Sequence, residues 1–219
     1  MKPKRTQKIK WSPELAYAVG LISADGCLSI DRRHINFTSK DIKLLKTFKK
    51  CLGLRNKIGR KSSGKSSEKK YYQVQFGDVI FYRWLNEIGL TPHKSKTIGK
   101  LKIPNKYFFD FLRGNFDGDG YFYSYWDKRW KSSFMFYTIF SSASRTFIEW
   151  LRKRIKTSLE IKGYIVQNRK ENFWQLKYAK RESRKLLSKL YYSNKIPLLE
   201  RKYLKIKRAE VEELEDSHP

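Results

Sequence analysis

The stretch AVGLISADG, Ala18 to Gly26, returns 94 positions later as LRGNFDGDG, Leu112 to Gly120. Each copy is a helix-like run with a glycine in mid-course, Gly20 and Gly114. Each closes on an acid followed by glycine, Asp25–Gly26 and Asp119–Gly120. Ser12-Pro13-Glu14 opens the first run with a serine N-cap, a proline at the first helical position and an acid in the first turn. Gly20 and Ala24 are four apart and share one helix face, and Gly114 and Gly118 take those places in the second copy. Interior glycine costs a soluble helix about 1 kcal/mol against alanine. Two helices that both carry it in register are expected to pack backbone against backbone.

Outward from each run the period changes from 3.6 to 2. Leu28 and Ile30 alternate with Ser29 and Asp31, then Ile35 and Phe37 with Asn36 and Thr38, around a turn at Arg32-Arg33-His34. A helix follows from Asp41, with Leu44, Leu45, Phe48 and Leu52 as its stripe and Gly53 as its stop. A second hairpin, Lys57 to Phe76, and a helix from Val79 to Gly89 complete a unit. The same order returns: helix from Phe108, hairpin Tyr121 to Phe140, helix Ser144 to Leu159, hairpin Ile165 to Tyr178, helix Arg181 to Tyr191. Phe37-Thr38-Ser39 reappears as Phe140-Ser141-Ser142, and Tyr72-Gln73-Val74 as Trp174-Gln175-Leu176. An internal duplication accounts for this. The expected architecture is α+β, two αββαββα units in tandem. Its parts are a basic arm (1–11), a first unit (12–89), a linker (90–106), a second unit (107–208) and an acidic tail (209–219).

A net charge of +28 over 219 residues marks a partner that is a polyanion. No run approaches eighteen apolar residues, so no membrane span is expected. The start MKPKRTQKIKW has no apolar core of a secretory signal, which predicts a protein that is not secreted. Cys27 and Cys51 are too few for a disulfide framework or a four-cysteine zinc site, and point to a reducing compartment. Gly59-Arg-Lys-Ser-Ser-Gly64-Lys65-Ser66 fits a phosphate-loop pattern, but that loop needs a helix after it, and here the chain alternates like a strand. It reads as a basic hairpin tip suited to nucleic-acid phosphates.

Asp25 and Asp119 carry the chemistry. A carboxylate at a helix C-terminus opposes the helix dipole by 0.3–1 kcal/mol, typically. Twice, at equivalent positions of a basic chain, it signals a metal site, and carboxylate oxygens with open positions suit Mg²⁺. Paired sites of this kind serve phosphodiester hydrolysis. The strands add a polar face of Asn36, Thr38, Gln73, Gln75, Gln175 and Lys177, suited to base edges in a major groove. Tyr121, Tyr123 and Tyr125 are either further contacts or ordinary cross-strand packing.

These motifs, two in register with matching downstream units, resemble the LAGLIDADG homing endonuclease family in its single-chain, two-motif form, over roughly Pro13 to Lys207. The resemblance implies a pseudo-twofold protein with two four-stranded antiparallel sheets forming a saddle on double-stranded DNA and the motif helices at the interface. It implies a monomeric enzyme that hydrolyses both strands of a long asymmetric target, using two or three Mg²⁺ ions that Mn²⁺ can replace. Asp25 and Asp119 would be metal ligands with carbonyls of Gly26 and Gly120. Lys94 and Lys202 would polarise the attacking water or balance charge. Around the first hairpin the expected DNA contacts are Ser29, Asp31, Arg33, Asn36, Thr38 and Lys40; around the second, Arg60, Lys61, Lys65, Gln73 and Gln75. In the second unit they are Tyr123, Tyr125, Lys128 and Arg129, then Gln167, Arg169, Gln175 and Lys177. Ser23 departs from the family motif, where Asp117 keeps the acid, and that position is structural by resemblance. An intron-encoded product of the cytoplasmic nucleoid or an organelle matrix is expected. The alternatives on the same fold are an RNA maturase acting on intron RNA and a regulator that binds DNA without cutting. A generic basic RNA-binding protein is the third.

Overall fold

The computed structural model describes residues 9–62, 71–129 and 134–215. The first unit runs α1 (Pro13–Asp25), β1 (Gly26–Leu28), β2 (His34–Ser39), α2 (Ile42–Leu52), β3 (Gly59–Lys61), β4 (Tyr71–Gly77) and α3 (Val79–Glu87). After a 3₁₀ turn at Asn105–Tyr107, the second runs α4 (Phe108–Gly118), β5 (Tyr121–Trp126), β6 (Phe134–Ser142), α5 (Arg145–Leu159), β7 (Tyr164–Asn168), β8 (Phe173–Tyr178) and α6 (Lys180–Leu190). The sheets are antiparallel with matching orders, β1-β2-β4-β3 and β5-β6-β8-β7. The duplication expected from the repeated motif is therefore a duplication of topology.

Local chemistry sets the element ends. Ser12 Oγ accepts from the Leu15 amide at 3.1 Å, Asp41 caps α2, and Gly53 leaves it in the left-handed region at φ 63°. Ile30 is not a strand residue: it lies in the turn after β1, 77% exposed, and Arg32 takes a left-handed φ of 58° there. In place of a free linker, residues 90–106 bury Leu90, Ile98, Leu101 and Ile103 against the core.

α1 is buried without interruption from Leu15 to Ser23, which makes it a central element rather than an amphipathic surface one. Its partner is α4. A Cβ built on Gly20 would lie 2.1 Å from the Phe111 carbonyl oxygen, and one on Gly114 would lie 2.0 Å from that of Tyr17. Tyr17 and Phe111 are equivalent in the repeat, so the contact is symmetric. The helices meet through backbone, as the small residues required.

Two features of the second unit were not expected. Arg113 is fully buried: it donates to Asp110 at 2.8 Å, to the Leu190 carbonyl at 3.0 Å and to the Pro197 carbonyl at 2.8 Å. It fixes the segment that leads into a further helix, α7 (Glu200–Glu215), which starts in the expected second unit and runs on into the stretch expected as an acidic tail. Leu199, Lys202, Ile206 and Ala209 are its buried side, a helical spacing visible in the sequence.

Candidate nuclease site

Because α1 and α4 pack backbone to backbone, both end at the same place, where the chain enters β1 and β5. Asp25 is the last residue of α1 and Asp119 caps α4. A Cβ on Gly118 would stand 3.7 Å from Asp25 Oδ2, so the carboxylate of one half lies against the helix end of the other. Gly26 and Gly120 let the chain turn back at once into β1 and β5: a Cβ there would strike Ile22 or Phe116 of the preceding turn.

Both lysines expected from the resemblance come to this point from different elements. Lys94, in the turn after α3, donates to the Gly26 carbonyl at 2.5 Å and the Ala24 carbonyl at 3.4 Å. Lys202, in α7, donates to the carbonyls of Phe116, Asp117 and Gly120, the second at 3.2 Å. Each is buried and satisfies the terminal carbonyls of one motif helix, where a cation also complements the dipole. The Gly26 and Gly120 carbonyls thus already hold hydrogen bonds from the lysines.

The four charged groups form one electrostatic cluster. Loss of solvent raises Asp25 from 3.8 to about 6, with repulsion from Asp119 adding and Lys94 and Lys202 opposing. Asp119 is raised by the same desolvation, again against both lysines. Desolvation lowers Lys202 to about 8, and lowers Lys94 in the same direction, with Asp119 pulling back up. Both acids are exposed residues, so the shift on Asp25 converts to only about 1 kcal/mol after screening. Its sign is definite. The folded carboxyl holds its proton more tightly than the unfolded one, so the penalty is absent below about pH 4 and complete above about pH 6. Asp25→Asn is expected to stabilise the metal-free protein by that amount at pH 7 and not at pH 4, as read by urea denaturation at the two pH values.

The donor set fits a divalent cation. Two carboxylates repel one another in a partly desolvated site, a state that a hard cation relieves. Among the described residues, no third His, Cys, Asp or Glu joins them. Mg²⁺ is commonly held by one or two carboxylates, with water and substrate phosphate completing the shell. Asp117, the other motif acid, is different in kind. It is buried, and accepts from Tyr17 Oη at 2.8 Å, Tyr191 Oη at 2.7 Å and the Leu199 amide at 2.8 Å. It ties α1, α6 and the start of α7 together and so positions Lys202. In the first unit Ser23 accepts from Asn115 Nδ2 at 3.0 Å and donates to the Gly20 carbonyl at 2.7 Å.

The open sheet faces flank this site. Asn36, Thr38, Gln73 and Gln75 stand together on the first, as Asn36↔Gln75 and Thr38↔Gln73 pairs, with Lys61 farther along opposite Tyr71. Lys177, Tyr123 and Tyr125 share the face of the second; Gln175 lies on that face by register but is buried, its Nε2 donating to Tyr121 Oη at 2.8 Å. Ser29 and Arg33 lie in the β1–β2 turn, Lys40 stands over the Tyr71 ring, and Lys128 and Arg169 are exposed in the outer turns of the second sheet.

Four expected contacts are placed otherwise. Arg60 pairs with Tyr72 and Gln167 with Trp174, on the helix-covered side of their sheets. Asp31 accepts from the Arg33 and His34 amides and pairs with the His34 ring, which holds its carboxyl down at about 2 and makes it the turn's own acceptor. Arg129 is bound at 3.0 Å by Asp127. Lys65 falls outside the described residues. The first described element beyond that segment is the strand β4, not a helix, against a phosphate-loop reading. No helix among the described residues is long and apolar enough to cross a membrane.

The LAGLIDADG-like domain family model matches residues 12–89. No curated protein matches the sequence. Among solved structures, the LAGLIDADG meganuclease I-AabMI bound to uncleaved DNA superposes with a TM-score of 0.64 at 19% identity, over 94% of this chain and 92% of that one. I-DmoI in complex with DNA and Mn gives 0.54 at 15%, over 83% and 98%. Full-length DUF199/WhiA from Thermatoga maritima gives 0.57 at 17%, over 94% of this chain but only 63% of that one. At these identities the likeness is one of fold, and it spans both units.

Proposed function

We propose that this chain, a single-chain LAGLIDADG-fold protein of two units, is a site-specific endonuclease that hydrolyses both strands of a long, asymmetric DNA target. The observation that carries the proposal is the convergence of Asp25, Asp119, Lys94 and Lys202 at the paired ends of α1 and α4, between two open sheet faces. A fold scaffold alone needs no carboxylate there, since each opposes its helix dipole and repels its twin.

In this reading the sheets lie along the major groove and the helix ends come to the phosphates between the half-sites. Asp25 and Asp119 supply the anionic oxygens for divalent cations, Mg²⁺ with Mn²⁺ as substitute. Such a cation, when bound, neutralises charge on the phosphate and acidifies water. Lys94 and Lys202 hold the helix-end carbonyls in place, fix the carboxylates' backbone, and leave positive charge beside the phosphate. Hydrolysis needs no side-chain nucleophile. The net charge of +28 gives strong, salt-sensitive attraction to DNA. One chain contains both halves of the site, so a monomer suffices. We place it with DNA in the nucleoid or an organelle matrix, as the product of a mobile intron.

A regulator or maturase on this fold is the second reading, motivated by the likeness in fold to DUF199/WhiA. The test is direct. The DNA on either side of the host intron is joined, cloned in a plasmid and incubated with protein and Mg²⁺. Linear plasmid that EDTA suppresses supports the enzyme. Tight binding without cutting replaces it with the regulator or maturase.

A further inference from the structure

The two open faces are equivalent in topology and opposite in chemistry. The first is amide-rich, with Asn36 Nδ2 donating to Gln73 Oε1 at 3.4 Å. The second is a platform of tyrosines. Tyr123 pairs with Tyr137 across β5 and β6, with ring centroids 5.1 Å apart. Tyr121 and Tyr125 stack on either side of Tyr123 at 6.2 and 6.1 Å. Tyr164 extends the patch from β7, opposite Lys177. Tyr121, Tyr125 and Tyr164 are each about two-fifths exposed.

The stacking geometry limits what this patch can hold. Interplanar angles of 12–24° turn the ring faces toward one another. Bases of a single strand stack on open ring faces, and here the central ring, Tyr123, is flanked by Tyr121, Tyr125 and Tyr137. The patch is an apolar surface with polar tips, and the Tyr121 hydroxyl already accepts from Gln175 Nε2 at 2.8 Å. In a major groove the one apolar feature is the thymine C5-methyl group. The platform is continuous with the Asp25–Asp119 site through β5, which starts at Tyr121 two residues after Asp119.

We propose that the second sheet reads its half of the target through thymine methyl groups, with Tyr123, Tyr125 and Tyr137 as specificity-determining residues, while the first sheet reads by amide hydrogen bonds. This rests on the double-strand DNA reading above. The target is therefore asymmetric in the chemistry of its readout as well as in its bases.

The test uses the full chain in EDTA to select binding sites from a random-sequence duplex pool. In the selected site thymine is then exchanged for uracil, one half at a time, which removes only methyl groups. In one half the exchange is expected to weaken binding roughly fourfold per contacted methyl, and in the other less than about twofold. Tyr125→Ser and Tyr123→Ser are expected to abolish the uracil sensitivity while leaving the circular dichroism spectrum unchanged. Equal sensitivity in both halves, none in either, or sensitivity that survives both variants overturns the proposal and leaves the DNA reading standing. A pool that enriches no duplex, or a preference for single strands, overturns the DNA reading and this inference with it.

Discussion

If the chain is the proposed endonuclease, Asp25→Asn and Asp119→Asn are each expected to cut double-strand cleavage by roughly 10²–10³-fold or more, with duplex affinity in EDTA changed by less than about twofold. The substitution is isosteric and removes one anionic oxygen set from a site that has two. Neither side chain holds the fold: both are exposed residues at helix ends, and their electrostatic surroundings disfavour the charged form. The loss therefore reports chemistry and not unfolding. Asp117→Asn is the informative contrast. Its partners are Tyr17, Tyr191 and the Leu199 amide, so it damages stability and the seat of Lys202 together. Plasmid cleavage and duplex binding, measured side by side, separate the two behaviours. Full cutting by Asp25→Asn would remove that residue from the site.

Gly20→Ala and Gly114→Ala each destabilise the protein by more than about 3 kcal/mol, above the usual overpacking range. The atoms a new Cβ would meet are backbone, the Phe111 carbonyl oxygen at 2.1 Å and the Tyr17 carbonyl oxygen at 2.0 Å, so no rotamer change relieves the clash. The helices must separate along their length, and α1 and α4 carry the central contact between the units. Once they have separated for one methyl group, the second costs less. The double variant is expected to lose less than the sum of the singles, a coupling that urea denaturation of all four proteins measures. The same separation splays Asp25 from Asp119, so residual folded protein is expected to bind DNA without cutting it. Strict additivity would mean that the two glycines do not share one interface.

Much of this was legible in the sequence, and the reason is repetition. A motif that occurs twice in register reports its own packing partner, so the helix pair, the two hairpins per unit and the juxtaposed acids could be read without coordinates. The side of the sheet on which a residue stands was less legible. Arg60 and Gln167 were expected among the DNA contacts, yet cross-strand register sets them opposite Tyr72 and Trp174. Alternation has a period of two, so a one-residue difference in pairing reverses the face. The tyrosine platform was hidden for a similar reason: Tyr121, Tyr123 and Tyr125 are visible as an alternating run, but Tyr137 joins them only through the β5–β6 register. α7 was missed because its charge masks its stripe, although Leu199, Lys202, Ile206 and Ala209 carry helical spacing. Lys94 and Lys202 have no local pattern at all. Only the family resemblance pointed to them, and only the fold brings them to the helix ends.

The most direct test of the central claim, that the paired helix-end carboxylates are a divalent-cation site, is Mn²⁺ binding followed by electron paramagnetic resonance on the protein–duplex complex. Native protein is expected to take up Mn²⁺ with an affinity that falls as the pH is lowered through about 6, where a proton on Asp25 competes with the cation. Asp25→Asn/Asp119→Asn is expected to take up none above the level of free duplex. Unchanged uptake by the double variant would contradict the account, because the cation would then be held elsewhere and the convergence of Asp25, Asp119, Lys94 and Lys202 would have to serve another end.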